Sequence, residues 1–380
     1  MNKITLVLIT TSFPIANDGS EAAGSFVADL VDELAKYINV RVVAPGLEAR
    51  REQLSESVEV YRYSAPSQPL STLKPWRFND LRWGVKVLSG GLQATREASI
   101  GGADHIFALW GLPSGEWARK VAEETGLDYS VWMLGSDVWS LGRIPIFRGM
   151  LARVIRHAKN AYADGYKLAK DAECIAGVPV EFLPSTRRID SINTKPPQSH
   201  PPYRLLFLGR WHLNKGTDLL LDALTMLSDD DWLCIDKVEV QGGGPLGLLV
   251  NERIAVFQQE GRPVELGGFL AKHEAEAAIA RADWVMIPSR IESIPVIFSD
   301  AMKLGRPVIS MPVGDLPALF EQEEYGVLAE EVNAIAYCQA IRRALACSTV
   351  YFSDGIKEHS ACFDLGGLAR TLVKKMVGHA

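Results

Sequence analysis

Apolar residues along the chain alternate between short unbroken runs and longer stretches with helical spacing. Residues 4–9, Ile-Thr-Leu-Val-Leu-Ile, form a continuous run closed by the turn signals Thr11-Ser12-Phe13-Pro14. Such a run predicts a strand buried on both faces, as in parallel sheets. After a loop containing Gly and Asp, Phe26, Val27, Leu30, Val31, Leu34 and Ala35 recur with the spacing of a helical stripe, and 40–43 is extended again. The alternation continues with strands predicted at 105–108, 129–133 and 160–163 and helices from about 115 and 146. This is the pattern of a doubly wound α/β domain.

Residues 186–202 break the pattern. The segment is polar and rich in Pro, with no sustained period, and reads as a linker. Beyond it the alternation restarts: strands at 204–208, 238–241, 284–287 and 307–310, with helices from 216, about 246 and 295. The expected organisation is therefore an N-terminal Rossmann-like domain over 1–185, a linker over 186–202, and a second Rossmann-like domain over 203–355. Ligands of such sheets bind at the carboxyl ends of the strands, so the cleft between two such domains is the expected site.

Composition narrows the class. The 380 residues exceed what one core usually supports, and 47% hydrophobic with 23% charged residues is ordinary for a globular protein. A formal net charge of −6 gives no overall basic field, which argues against a nucleic-acid partner. The five cysteines, widely spaced and without CxxC, read as reduced and mostly buried thiols. The apolar run at 4–9 is too short to span a membrane and lacks a cleavage site, so a cytoplasmic location is expected.

Candidate chemistry concentrates in the second half. Glu292 and Asp300 stand eight positions apart, one on a loop before Pro295 and one inside the helix that Pro295 opens. Pro loses nothing at a first helical turn, and the free amides of Ser293, Ile294 and Val296 at the positive end of the helix dipole suit a phosphate. Arg210 and Lys215, between a strand and a helix, suit a diphosphate clamp, although a pair of solvated loop charges is the plainer alternative. Residues 242–247 satisfy GxGxxG, but Pro245 stiffens the loop and the strand is not the first of its domain. A tight turn fits better than a dinucleotide site. Asp229-Asp230-Asp231 is expected to be a solvated turn rather than a metal site. His105 is expected to be a packed core group. Trp76 to Lys86 interleaves aromatic and basic residues, as an amphipathic surface helix would, or a segment resting on a membrane.

Taken together, Gly209-Arg210 with Lys215-Gly216, Gly242 to Pro245, Pro288-Ser289, Glu292 with Asp300, and Gly305-Arg306-Pro307-Val308 resemble the donor half of the group-1 (family four) retaining glycosyltransferases of GT-B fold. Ser12-Phe13-Pro14 with Gly24-Ser25-Phe26, Trp110 to Gly115, and Gly135-Ser136-Asp137-Val138 are similar to that family's N-terminal loops. The resemblance covers nearly the whole chain. It implies two Rossmann-like domains facing across a cleft, with residues 356–380 ending in a helix packed back on the first.

It also implies roles. Arg210 and Lys215 would hold the donor diphosphate, Glu292 the transferred sugar and Asp300 the ribose. A carboxylate accepts two hydrogen bonds from a vicinal diol, which is why acids suit both ends. Gly24, Ser25 and Gly244 would lie against the donor, and Trp110, Ser136 and Asp137 on the acceptor side. Asp137, Glu292, Arg210 and Lys215 form the implied catalytic set. No cofactor or metal is implied beyond a nucleotide-sugar co-substrate, with a UDP-sugar expected. The implied acceptor is a glycan, lipid-linked or small molecule, which leaves room for peripheral contact with the inner membrane face.

Three departures stand out. Asp300 is one methylene shorter than the family's second Glu, and Leu134 occupies the place of a histidine. Pro184-Ser185-Thr186-Arg187-Arg188-Ile189-Asp190 adds two cations to the hinge, read as solvated. Leu134 keeps open a non-catalytic sugar-nucleotide-binding protein, and the fold also admits a sugar-nucleotide epimerase.

Overall fold

The computed structural model describes residues 3–15, 24–66, 78–190 and 195–377. The chain forms two compact units, Met1–Arg187 with Leu365–Ala380, and Arg188–Asp364.

In the first unit the strands are β1 (Thr5–Ile9), β2 (Asn39–Gly46), β3 (Arg50–Ser55), β4 (Val58–Ser64), β5 (His105–Leu109), β6 (Asp128–Met133), β7 (Asn160–Ala163) and β8 (Glu181–Phe182). They form one sheet in the order β3-β4-β2-β1-β5-β6-β7-β8, parallel except for β3. All five residues of β1 are buried, as an unbroken apolar run at the centre of a parallel sheet requires. The helices are α1 (Ser25–Leu34), α2 (Phe78–Ser99), α3 (Glu116–Thr125), α4 (Ser136–Trp139), α5 (Pro145–His157) and α6 (Tyr166–Ala176). Separate apolar clusters cover the two faces of the sheet: Val7, Ile9, Trp117 and Val154 belong to one, and Leu6, Leu8, Phe107 and Trp132 to the other.

The second unit carries β9 (Tyr203–Arg210), β10 (Ile235–Gly243), β11 (Val264–Leu266), β12 (Trp284–Ile287), β13 (Val308–Ser310) and β14 (Gly326–Leu328) in the order β11-β10-β9-β12-β13-β14, all parallel. Its helices are α7 (Thr217–Thr225), α8 (Asp229–Leu233), α9 (Gly247–Gln259), α10 (Lys272–Arg281), α11 (Val296–Lys303), α12 (Leu316–Gln322), α13 (Ala334–Ala346) and α14 (Ser353–Ser360). Helix α15 (Leu365–Val377) belongs to the first unit, where Leu368, Ala369 and Leu372 join the cluster formed with Leu30 and Leu34 of α1.

Several expectations need correction. The end of the Pro-rich stretch is fastened to the second unit: the Gln198 amide donates to Asp283 Oδ1 at 2.7 Å, and Thr349 Oγ1 donates to the Gln198 carbonyl at 2.6 Å. The buried Arg306 guanidinium donates to the carbonyls of Lys195 and Ala280. Arg187 and Arg188 are half-buried and partnered rather than solvated. The Asp triplet is the first turn of α8, with Ser228 and Asp231 forming a capping box and Arg342 donating to Asp231 at 2.9 Å. Acids there complement the helix dipole. No cluster of metal-binding side chains occurs among the described residues.

Of the five free cysteines only Cys338 is buried; Cys174 and Cys362 are exposed. His105 is a core residue with Nε2 2.9 Å from Ser130 Oγ, and burial, aided by Lys159, pushes it down to about 4. Its Nδ1 has no hydrogen-bond partner, so the ring is only half satisfied. Trp76 and Arg77 lie outside the described residues; Lys86 sits over the Trp83 ring on α2. No described helix is long and apolar enough to cross a membrane.

Candidate functional site

In the second unit the loop after β9 and the loop after β12 meet at the carboxyl end of the sheet. Gly216 makes this possible: its φ is +66°, and a Cβ there would overlap the Pro288 carbonyl oxygen. Only glycine accepts both the left-handed conformation and the contact at low cost. Arg290 then binds across the junction. Its guanidinium grips Asp218 with two bonds of 2.7 and 2.6 Å and donates to the Leu213 carbonyl at 2.6 Å, while its amide donates to the Asn214 carbonyl at 2.8 Å. A bidentate Arg–carboxylate pair fixes orientation as well as distance.

This bracket brings Lys215 Nζ onto Glu292 Oε1. Ser289 Oγ donates to the same oxygen at 2.9 Å. The ion pair is half open, with the Lys215 side chain 41% and the Glu292 side chain 14% exposed. An exposed pair of this kind contributes about 0–1 kcal/mol, so a ligand could separate it at little cost. Arg210 ends β9, is exposed, and has no ion-pair partner among the described residues. The two cations and Glu292 thus lie on neighbouring loops at one end of the sheet.

Burial raises the pKa of Asp218, but the hydrogen bonds and charge of Arg290 outweigh it and hold the carboxyl below its ordinary range. A depressed carboxylate contributes stability that is complete above its unfolded value, about 4, and lost as the pH falls through the lower folded value. The bracket should therefore remain intact at pH 5 and loosen only in stronger acid. Hydrogen exchange of the Arg290 and Lys215 amides across that range checks this; protection lost already at pH 5 would oppose it.

Other assigned residues behave differently. Pro295 is the N-cap of α11, one position earlier than expected. Among the described residues the amides of Ser293, Ile294 and Val296 donate to no backbone carbonyl, while the Ser293 and Ile294 side chains are buried. Asp300 is 1% exposed, so the ribose contact implied for it would need an oxygen that this structure keeps from solvent.

Gly242 has φ +140°, and a Cβ there would overlap the Gly209 carbonyl; one on Gly244 would come within 2.7 Å of the Trp211 carbonyl. These glycines let β10 and its following turn lie close against β9. That packing accounts for the GxGxxG match.

In the first unit Asp137 is 1% exposed. Its Oδ2 accepts from the Gly111 amide at 2.6 Å and its Oδ1 from the Val138 amide at 3.1 Å. Burial raises its pKa, and these amides pull it down only in part. Through these bonds Asp137 ties the 110–115 turn to α4. Asp137→Ala would leave the buried Gly111 amide unpaired, at about 1–3 kcal/mol, while the Val138 amide keeps the Gly135 carbonyl; Asp137→Asn keeps an acceptor. Thermal unfolding should separate the two variants.

Trp110, at the start of that turn, has φ +69°, a strained value for a residue with a Cβ, and its ring meets Phe26 edge-on at 6.3 Å. Ser136 is exposed beside Asp137, and the half-buried Leu134 packs on the apolar cluster that contains Trp132. Gly24 caps α1, and a Cβ there would crowd Pro14 and Phe13; its close approach is to the chain itself. Ser25 opens the helix.

Sequence reasoning passed over Arg290, Asp218 and Ser289 as site residues. For two of them the signal was opposite charge, Asp218 in the first turn of α7 just after Gly216 and Arg290 on the loop just before Glu292; Ser289 carried none.

Two parallel-sheet units of this kind define the GT-B class. The chain superposes on sucrose-phosphate synthase from Thermosynechococcus elongatus with a TM-score of 0.72 at 19% identity, covering 98% of each chain. It superposes on Anabaena HepE in complex with UDP with a TM-score of 0.68 at 16% identity, over 99% of this chain and 100% of that one.

The model of the family "Glycosyl transferases group 1" matches residues 202–347. The putative teichuronic acid biosynthesis glycosyltransferase TuaC of Bacillus subtilis (strain 168) is 25% identical over 327 residues, 82% of this chain and 76% of that protein. The D-inositol 3-phosphate glycosyltransferase of Geodermatophilus obscurus is 31% identical over 171 residues, 42% of this chain but only 36% of that protein. Residues 202–347 thus match the group-1 glycosyl transferase family, and the fold of the chain is that of the GT-B glycosyltransferases.

Proposed function

We propose that the protein transfers a sugar from a nucleotide-sugar donor, a UDP-sugar, to a hydroxyl of a glycan or lipid-linked acceptor, with retention and without a metal ion. The Lys215–Glu292 contact carries this reading. Donor binding would divide the pair, Lys215 and Arg210 turning to the diphosphate and Glu292 to hydroxyls of the sugar. The acceptor oxygen bonds to the anomeric carbon as the bond from that carbon to the diphosphate oxygen breaks. The acceptor proton passes to the departing diphosphate, whose negative charge the two cations offset. Asp137 and Trp110 shape the acceptor side, and Asp300 would reach the ribose only after moving from its buried position.

TuaC's assignment to teichuronic acid biosynthesis supports an envelope polysaccharide as product, and the complex of HepE with UDP-glucose supports the choice of donor. A cytoplasmic enzyme at the inner membrane face fits that product. A second reading rests on Leu134, which cannot donate to sugar oxygens: a protein that binds the donor without transferring it.

Thermal unfolding with UDP, GDP, ADP and their sugars tests donor use. A ligand at a hundred times its Kd should stabilise by about 2.7 kcal/mol. UDP compounds should raise the midpoint; no shift with any nucleotide would overturn the proposal. UDP release on adding candidate acceptors separates transfer from binding alone.

A further inference from the structure

The first unit carries a second chemical feature in the segment that follows Asp137, at residues to which no role is assigned above. Between Asp137 and Asp164 the chain holds five Arg or Lys residues and no Asp or Glu, in a protein of formal net charge −6. Arg156 Nε donates to the Ala176 carbonyl at 2.6 Å, and Lys159 pairs with Asp128 at 2.7 Å. Arg143, Arg148 and Arg153 are exposed and have no acidic partner among the described residues. Along the chain they flank an apolar tip at the start of α5, where Ile144, Ile146 and Phe147 are 46%, 75% and 37% exposed. The buried face of α5, with Leu151, Val154 and Ile155, starts only one turn later. Nothing in the core requires those apolar side chains.

We propose that this tip, Ile144, Ile146 and Phe147 with the neighbouring Arg143, Arg148 and Arg153, seats the first unit on an anionic phospholipid surface. Three apolar side chains fall far short of the roughly 800 Å² per partner that a stable protein interface buries. They match shallow insertion at a headgroup boundary, where clustered cations add attraction to lipid phosphates. Helix α2 supports the same orientation. Leu81, Val85 and Leu88 follow one another at i, i+4 and i+7, each at least half exposed. Both α2 and α5 pack against α3 and start after the carboxyl end of a parallel strand, so the two patches share one layer and one end of the sheet. The inference gives a surface to the membrane-facing acceptor proposed above, but its observations do not depend on the donor site.

Flotation with vesicles of phosphatidylcholine, alone or mixed with phosphatidylglycerol, tests it on the full chain. The protein should bind the mixed vesicles, and binding should fall on raising the salt. Ile146→Asp with Phe147→Asp, and separately Arg143→Glu with Arg148→Glu and Arg153→Glu, should each weaken binding at least about tenfold. Aspartate suits a first helical turn, so the first variant should fold, and a UDP-induced thermal shift equal to that of the parent protein would show the donor site intact. Equal binding to both vesicle types, no binding to either, or variants that float like the parent would overturn the surface. A lost UDP shift with flotation retained would count against the donor reading instead.

Discussion

Lys215→Ala is expected to lower transfer by about 10²- to 10³-fold, the usual effect of removing one donor aimed at developing charge. Affinity for the donor should fall about 10- to 100-fold, as for loss of one charged hydrogen bond. Stability should change by less than about 1 kcal/mol, because the pair with Glu292 is partly exposed. That combination is diagnostic. A residue with only a structural role would lose stability first and activity in proportion. Steady-state kinetics beside thermal unfolding would separate the cases, and unchanged kinetics would remove Lys215 from the site.

Gly216→Ala should be among the most damaging single methyls in the second unit. The left-handed backbone costs a residue with a Cβ roughly 1–2 kcal/mol, and displacing the Pro288 carbonyl adds about 1–3 kcal/mol of overpacking. At about 2–4 °C per kcal/mol for a unit of this size, the melting midpoint should drop by roughly 5 °C or more. The same shift would carry Lys215 away from Glu292, so UDP affinity should fall too. Loss of stability with full affinity would mean that the two loops bind donor independently of their contact.

The sequence revealed the repeating framework because its physics is local. β1 and α11 follow from an unbroken apolar run and from a helical stripe behind a proline. The β3–β4 hairpin was hidden because Arg50 to Ser55 is polar and largely exposed, and an edge strand needs no apolar pattern.

In the candidate site, residue types were readable and their contacts were not. Lys215 and Glu292 are 77 positions apart, and their meeting depends on how closely Gly216 approaches Pro288. The burial of Asp300 and the backbone bonds held by Asp137 are equally tertiary: an acid's letter does not say whether its oxygens face water or amides.

Calorimetric titration of UDP and UDP-glucose into the parent protein, Lys215→Ala and Glu292→Gln tests the division of labour most directly. Lys215→Ala should weaken both ligands, whereas Glu292→Gln should weaken UDP-glucose and leave UDP nearly unchanged. Equal losses for both ligands in Glu292→Gln, or no dependence of UDP binding on Lys215, would contradict a donor site in which the cation holds diphosphate and the carboxylate holds sugar.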